Sequence, residues 1–354
     1  MKNKIIKNPF NSLKKKRDVV FDLLKLIALL LVIMDHSLQR WIENCQATQL
    51  YNFIFLTQMP VFMFVSGYFS FKHYSKIELF SPKDRLIDAL KRVASLLIPF
   101  ISFALIKAII MNDLSNIYLS FLYPQRSLWF LWALLCIDLM MLISQNIIII
   151  FKVKTKIKSF LFSSILYLAF LTLFIIIYLI NSALFDSKLI IYYSIFFLFG
   201  YLWSYLTDEL IILSRKWTKL TVLMTSLCVL VMVMLVRPTI IFDSETIINM
   251  GLRILGSVSA ILVVFELCSF ASKYKCVDYI SRLGRLSLEF YYAHLLLFMI
   301  PIFVETTSNY LLFLLMYLLT ILTSFLTIIV LKTFYITDLI CFGKIIKKEA
   351  NKNV

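Results

Sequence analysis

The sequence predicts an all-α integral membrane protein, a bundle of about ten transmembrane helices with both termini in the cytoplasm. Hydrophobic residues make up 61% of the 354 residues and charged residues only 16%, whereas soluble domains are about 45–50% apolar. The charged residues cluster in short runs between long apolar stretches, which is the pattern of membrane spans and their connecting loops. The distribution of Lys and Arg among those loops then sets the orientation.

Ten apolar stretches follow one another, and each has roughly the 20 residues that a helix needs to cross the hydrocarbon core. The first is too long for a signal peptide and has no cleavage site, so we expect it to be retained. The predicted domains are a basic cytoplasmic segment (1–18), a transmembrane domain (19–333) and a basic cytoplasmic tail (334–354). The expected spans are 19–41, 50–71, 91–111, 127–150, 159–181, 189–206, 218–236, 247–270, 286–304 and 310–333.

The basic residues are strongly asymmetric between the two sides of this arrangement. When residues within two positions of a span end are counted with the adjoining connection, 29 of the 36 Lys and Arg residues fall in the two termini and the even-numbered connections, four in the odd-numbered connections and three deeper within spans. Because cytoplasmic loops retain Lys and Arg, both ends are predicted to be inside. The four outer residues are Arg40, Arg126, Lys188 and Arg237.

The net charge of +16 does not indicate a nucleic-acid partner. The basic residues adjoin apolar segments, where they set topology and contact anionic lipid, so the predicted partner is the lipid bilayer. Six cysteines occur without metal-ligand spacing, and no metal site is predicted. The connection at 72–90 is expected to be an inner loop that contains a solvated His73 and a short interfacial helix after Pro82.

The first span carries several ionisable residues, which inside a membrane are costly and mark functional sites. Lys25 and His36 are eleven residues apart, which places them on one helical face about 16 Å apart along the axis. Asp22 lies one turn before Lys25, and Arg40 one turn after His36. An Asp22–Lys25 pair at the inner interface is the structural alternative for those two residues. Asp35 points about 100° from His36, so another helix is expected to orient the imidazole.

Other spans contain fewer polar residues of interest. Ser66 and Gly67 follow a proline and form a small patch that permits close helix approach. Trp129 is either a site residue or part of an interfacial aromatic belt. Arg253 is a candidate for binding an anionic group, and His294 near mid-bilayer is either a site residue or a hydrogen-bonded structural one.

Four stretches, taken in order, resemble the acyltransferase-3 family of bacterial membrane O-acyltransferases, which acetylate surface polysaccharides, O-antigens and fucosyl residues. Residues 22–36 contain a basic residue, ten residues and then a histidine. Residues 59–68 read MPVFMFVSGY, and residues 128–131 read LWFL. Residues 284–294 read GRLSLEFYYAH, and the Phe-Gly-Tyr at 199–201 is also similar to a family stretch.

The resemblance implies transfer of an acyl group, acetyl before others, from cytoplasmic acyl-CoA to a hydroxyl of a cell-surface or lipid-linked glycan. It places the protein in the bacterial cell membrane, with acetyl-CoA as a donor substrate and no permanently bound cofactor. His36, as general base, and Lys25, as a binder of donor phosphate or developing charge, are the catalytic candidates. The binding candidates are Asp22, Arg40, Ser66, Arg126, Trp129, Arg253 and His294.

Two other functions fit a chain with buried charges. A transporter or exporter of a glycan or small solute would use them as a proton or substrate path, although no internal repeat is visible. A non-catalytic scaffold for a glycan-synthesis complex would use them only for packing. The sequence leaves open the acyl group, the acceptor, the oligomeric state and whether a partner protein completes the transfer.

Overall fold

The computed structural model describes residues 18–78, 80–153, 155–209, 216–236, 247–299 and 309–343, and these residues are helical with no β-strand. Short 3₁₀ helices at Cys45–Ala47, Pro124–Arg126, Leu184–Asp186 and Arg282–Leu286 join some of the α-helices. The α-helices are α1 (Val19–Trp41), α2 (Gln49–Ile77), α3 (Pro82–Ile110), α4 (Ser115–Leu122), α5 (Trp129–Ile150), α6 (Lys156–Ile180), α7 (Ser187–Glu209), α8 (Lys216–Val236), α9 (Ile247–Ala271), α10 (Lys275–Ser281), α11 (Ser287–Met299), α12 (Tyr310–Thr333) and α13 (Tyr335–Phe342).

Within this described part of the chain, eight helices are long and apolar enough to cross a membrane. They are α2, α3, α5, α6, α7, α8, α9 and α12, which match eight of the ten expected spans. The charged side chains of α1 set it apart from these eight, and α11 is described over only 13 residues. A helical, multi-pass membrane protein is thus confirmed, while the count of ten spans and the cytoplasmic position of both ends remain predictions.

The connection between the second and third expected spans differs from the sequence expectation. α3 begins at Pro82 and runs unbroken for 29 residues, so no separate interfacial helix precedes it. Ser81 caps its N-terminus by accepting the amide of Asp84. His73 is not in a loop but in α2, where its Nε2 lies 2.8 Å from a carboxylate oxygen of Asp88 on α3. This contact explains why α3 starts early, because it holds the charged first turns of the helix against α2.

A close helix crossing joins α2 and α7 through two reciprocal glycines. A Cβ atom at Gly67 would lie 1.9 Å from the carbonyl oxygen of Phe197, and one at Gly200 would lie 2.0 Å from that of Phe64. The two backbones therefore touch, which only glycine permits. The small patch predicted at residues 66–67 is confirmed as a packing surface at Gly67.

α1 is held against the start of α11 by a third glycine and a buried ion pair. A Cβ atom at Gly284 would lie 1.8 Å from the carbonyl oxygen of Asp22. The Nε of Arg285 donates to the Asp22 carboxylate at 2.7 Å, and both side chains are less than 10% exposed. Because His36 contacts His294 further along the same two helices, α1 and α11 run parallel.

The first part of the expected tail is a helix that packs onto the bundle. Phe342 of α13 is fully buried, and its ring centroid lies 5.8 Å from that of Tyr292 on α11. Gly343 ends α13 in the left-handed region at φ 61°, and a Cβ there would lie 2.9 Å from the Cα of Ser95 on α3. The outer faces of α6, α8 and α12 expose large apolar side chains, as expected for lipid-facing surfaces.

Substitution of the crossing glycines tests this packing. We expect Gly67→Ala and Gly200→Ala to lower the melting temperature of the detergent-solubilised protein, because a methyl group forced against a backbone carbonyl costs about 1–3 kcal/mol or more. Gly251→Ala on α9 is the matched control, since its Cβ would meet nothing within 4 Å and alanine favours the helix by up to ~1 kcal/mol. Equal melting temperatures for all three variants would contradict the crossing.

The Asp22–Arg285 pair gives a second test. Asp22→Ala leaves a buried guanidinium without its carboxylate, so we expect a loss of about 3–5 kcal/mol in the free energy of unfolding. The double variant Asp22→Leu with Arg285→Met removes both charges and is expected to regain most of that loss. Thermal unfolding followed by intrinsic fluorescence measures both. An additive pair of effects would show that the two side chains do not interact.

Candidate functional site

Two histidines meet where α1 and α11 run side by side. The ring centroids of His36 and His294 are 5.5 Å apart, with their planes tilted by 35°. His294 is fully buried, whereas His36 is partly exposed. The ring of Phe298 lies 6.2 Å from each of them and closes one side. The sequence predicted both histidines as candidates, and the tertiary structure brings them together from residues 258 positions apart.

The hydrogen bonding of His294 fixes the form of its neutral ring. Its Nδ1 lies 2.7 Å from the carbonyl oxygen of Phe290. Since a carbonyl oxygen only accepts, Nδ1 carries the hydrogen and Nε2 of the neutral ring is an acceptor. Nε2 is buried and has no hydrogen-bond partner among the described residues. The ring therefore presents an acceptor nitrogen to which a substrate hydroxyl can donate a hydrogen bond.

Arg40 lies one turn beyond His36 on α1 and is tied to the end of α11. Its Nη1 donates to the carbonyl oxygen of Phe298 at 2.7 Å, and its guanidinium lies 5.4 Å from the centroid of the Phe298 ring. The cation is thereby held on the same face of α1 as His36, at the rim of the histidine pair.

Asp35 faces α2 and does not orient the His36 ring through a direct hydrogen bond. One of its carboxylate oxygens accepts from Gln58 of α2 at 2.8 Å, and the other accepts from Gln39 at 3.1 Å. Gln39 also donates to the hydroxyl of Tyr51 at 3.2 Å. The carboxylate remains within electrostatic range of His36, so its charge stabilises an imidazolium formed there.

A continuous row of aromatic rings leads from the histidine pair into the bundle. Tyr291 lies 5.7 Å from His294, Phe130 lies 5.7 Å from Tyr291, and Phe62 lies 5.6 Å from Phe130, all between centroids. These rings belong to α11, α5 and α2. They form a largely buried apolar wall, and electrostatic interactions beside it are stronger because the local dielectric constant is low.

Trp129 and Arg253 meet around one tyrosine of α7. The Trp129 ring lies 5.3 Å from that of Tyr193, and Tyr193 is within electrostatic range of both Arg253 and Asp35. Arg253 is only 1% exposed, with its guanidinium 5.4 Å from the centroid of the Phe55 ring. The buried cation of α9 thus lies against α2 and within electrostatic range of α7, on the side of the bundle that holds Asp35.

Lys25 and Asp22 lie at the opposite end of α1 from the histidines. The ammonium of Lys25 lies 5.3 Å from the centroid of the Phe69 ring on α2. Asp22 is bound to Arg285 as described above. The helical rise separates Lys25 from His36 by about 16 Å. The polar face of α1 therefore carries a cation, Lys25, near its start and an imidazole, His36, near its end.

Two predicted binding residues make local contacts. The hydroxyl of Ser66 donates to the carbonyl oxygen of Phe62 in its own helix at 2.9 Å. Arg126 is exposed in its 3₁₀ helix, and its guanidinium lies 5.8 Å from the Tyr123 ring centroid. Neither contact reaches the histidine pair.

Several polar partners were missed by the sequence reasoning. Asp138 within α5 accepts from Arg92 of α3 at 2.7 Å, and Glu289 of α11 accepts from Lys332 of α12 at 3.1 Å. The missed signal was an ionisable residue inside or beside a span, the same signal that singled out His36. Among the described residues, no group of three or more His, Cys, Asp or Glu could hold a metal ion.

Comparison with known families agrees with this arrangement. A family model described as an acyltransferase domain, that of the acyltransferase-3 family, matches residues 18–331. The matched region runs from the N-cap of α1 into the last turn of α12 and includes all the side chains described above except Lys332 and those of α13. No curated protein and no solved structure matches the chain. The match covers well over half of the sequence, and the chain therefore belongs to the acyltransferase-3 family of membrane acyltransferases.

Proposed function

We propose that this protein transfers an acetyl group from cytoplasmic acetyl-CoA to a hydroxyl of a cell-surface or lipid-linked glycan, in the bacterial cell membrane. The observation that carries this proposal is the His36–His294 contact at 5.5 Å, in a chain whose family is that of acyltransferases. The contact supplies nitrogen bases at one end of α1, while Lys25 supplies a cation at the other.

The chemistry requires a base because a sugar hydroxyl is a weak nucleophile at neutral pH. The imidazole of His36 takes the hydroxyl proton as the oxygen attacks the thioester carbonyl. A carbon–oxygen bond forms and the carbon–sulfur bond breaks. The leaving thiolate of CoA then receives the proton from the His36 imidazolium, which restores the neutral base. Asp35, the residue before His36, stabilises that imidazolium by its charge.

His294 has a separate role beside this base. Its Nε2 is an acceptor, since Nδ1 donates to Phe290. A hydroxyl held between two imidazoles is oriented by one ring and deprotonated by the other. Burial of His294 among aromatic rings keeps competing water away, which limits hydrolysis of the acyl donor.

The two ends of α1 suit a donor that enters from the cytoplasm. Acetyl-CoA carries its phosphates on the nucleotide and its thioester at the end of a long, flexible arm. Lys25 binds a donor phosphate, and the arm extends along the helix toward His36. We assign to Arg253 the stabilisation of the negative charge that develops on the carbonyl oxygen as the tetrahedral intermediate forms.

The first test replaces the base. We expect His36→Ala to lower acyl transfer by about 10²–10⁴-fold, as is usual on loss of a general base, while the protein still inserts in the membrane. The native host is compared as wild type, gene deletion and variant at equal membrane levels, by NMR and mass spectrometry of isolated surface polysaccharide. His73→Ala is the matched histidine control, because His73 pairs with Asp88 away from the site.

The outcomes separate the candidate functions. An O-acyl substituent that is present with wild type and His73→Ala, and missing with the deletion and His36→Ala, supports the transferase. A full acyl signal with His36→Ala excludes His36 as the base. If the deletion alters polymer export and leaves every covalent substituent unchanged, the protein is an exporter.

The second test concerns the donor. We expect Lys25→Met to raise the KM for acetyl-CoA by about 10–100-fold, since a hydrogen bond to a charged group contributes about 1.5–3 kcal/mol. Lys25→Arg keeps the charge and should retain most of the affinity. Transfer of radiolabelled acetyl to the endogenous acceptor in native-host membrane vesicles measures both. An unchanged KM in Lys25→Met would place the donor elsewhere.

A further inference from the structure

A second group of buried polar side chains lies next to the start of α7, where the α4–α5 and α6–α7 connections meet the end of α3. The 3₁₀ helix Pro124–Arg126 contacts the end of α3, where the ammonium of Lys107 donates to the carbonyl oxygen of Arg126. It also contacts the 3₁₀ helix Leu184–Asp186, because the Asp186 carboxylate hydrogen-bonds the backbone of Gln125. None of these contacts has a part in the acyl-transfer steps described above.

Asp186 is the central residue of this group. It is only 2% exposed, and its second carboxylate oxygen, Oδ2, has no hydrogen-bond partner among the described residues. The same holds for the hydroxyls of Ser187 and Ser127 and the indole Nε1 of Trp132. Ser187 follows Asp186 directly, Ser127 ends the 3₁₀ helix whose backbone Asp186 bonds, and the Trp132 ring packs on that of Phe185. A buried polar atom without a partner is destabilising, so these four atoms on adjoining elements indicate a site that is completed by a ligand.

The backbone at this point is held in an unfavourable conformation. Phe185 and Asp186 are consecutive non-glycine residues with φ values of 55° and 52°. The left-handed region is unfavourable for an L-residue. Asp186 is buried in this turn, and the Phe185 ring lies 6.4 Å from that of Trp132 between centroids, with the ring planes 23° apart.

The aromatic surroundings narrow the chemistry of the ligand. Trp132 also lies 5.4 Å from Phe100 and 5.8 Å from Phe121, between ring centroids. A carboxylate accepts hydrogen bonds, an indole N–H donates one, and a serine hydroxyl does both. That set is complementary to a group of hydroxyls. The apolar rings favour the C–H surface of a sugar.

The position of the group relates it to the histidine pair. Tyr193 follows Asp186 by seven residues, about 10 Å along α7, and its ring lies 5.3 Å from that of Trp129 between centroids. Trp129 follows Ser127 by two residues, and the adjacent Phe130 leads through Tyr291 to His294. The group therefore lies about two helical turns before Tyr193, at the start of α7. Ring contacts of the first turn of α5 link it to the histidines.

We propose that Asp186, Ser127, Ser187 and Trp132 form an acceptor subsite that binds the hydroxyls of a neutral sugar unit next to the one that is acylated. This inference rests on the proposed glycan acceptor. The Asp186 carboxylate accepts hydroxyl hydrogens at Oδ2, the two serines donate and accept, and Trp132 donates its N–H. The subsite selects the glycan and its register, while His36 activates the hydroxyl that reacts.

The test measures binding and transfer separately on the full chain in lipid nanodiscs. The probe is a set of fluorescently labelled oligosaccharides prepared from the surface polysaccharide of the native host after mild-base removal of O-acyl groups. We expect Asp186→Asn to raise the Kd by about 10–100-fold and to leave the KM for acetyl-CoA within about twofold of wild type. Asn keeps an acceptor oxygen for the Gln125 backbone, so the local fold is retained.

Further variants keep the test decisive. Ser127→Ala and Ser187→Ala each remove one oxygen and should raise the Kd by about 2–10-fold, which provides a readout if Asp186→Asn does not fold. Glu43→Gln is the control, a matched loss of charge at an exposed carboxylate in the connection after α1, with no change expected. His36→Ala should still bind the probe, with a Kd about 2–10-fold higher for the loss of one hydrogen bond, and should fail to transfer acetyl.

Failure of the subsite and failure of the proposed function are distinguishable. Wild-type affinity in Asp186→Asn and both serine variants, or no binding of the probe by the wild type, overturns the subsite. Binding that depends on Asp186 without any transfer of acetyl by the wild type supports the subsite as a sugar site and overturns acetyl transfer to this glycan.

Discussion

The contact between α1 and the segment that begins α11 governs the geometry of the site. Gly284 lets the two backbones touch at Asp22, and the buried Asp22–Arg285 pair fixes their register. Because both helices are rigid rods, fixing them at this end determines which side chains meet further along. The result is that His36 and His294 face each other. A shift of one residue along α1 would rotate His36 by about 100° away from its partner.

The α2–α7 crossing supplies the other half of the framework. Reciprocal glycines bring these helices into backbone contact, which carries the aromatic residues of α7 toward those of α5 and α2. The Trp129–Tyr193 contact, which joins α5 to α7, depends on this closeness. Buried polar and charged groups then lie against aromatic walls, where electrostatic interactions are stronger than in water.

Ionisable residues within the bundle serve two different purposes. Asp22 with Arg285, Asp138 with Arg92 and Glu289 with Lys332 are interhelical pairs that neutralise charge away from water. His36, His294 and the Asp186 group instead offer buried or partly buried atoms suited to a substrate. Burial of an ionisable side chain alone is therefore an incomplete guide to function. The presence of an interhelical partner of opposite charge separates the structural pairs from the site.

The sequence by itself predicted the helical membrane fold, the positions of eight helices long and apolar enough to span a membrane, the family motifs and the candidates His36 and His294. These properties are local or compositional, because hydropathy, span length and an in-span histidine are read from neighbouring residues along the chain. Only the tertiary structure decided the partners. It assigned Asp22 to Arg285, turned Asp35 toward Gln58, placed His73 in a helix beside Asp88, and bound the buried Asp186 to the backbone of Gln125. Partner choice depends on which helices are neighbours and how they are rotated, and that arises from glycine contacts between residues far apart in the chain.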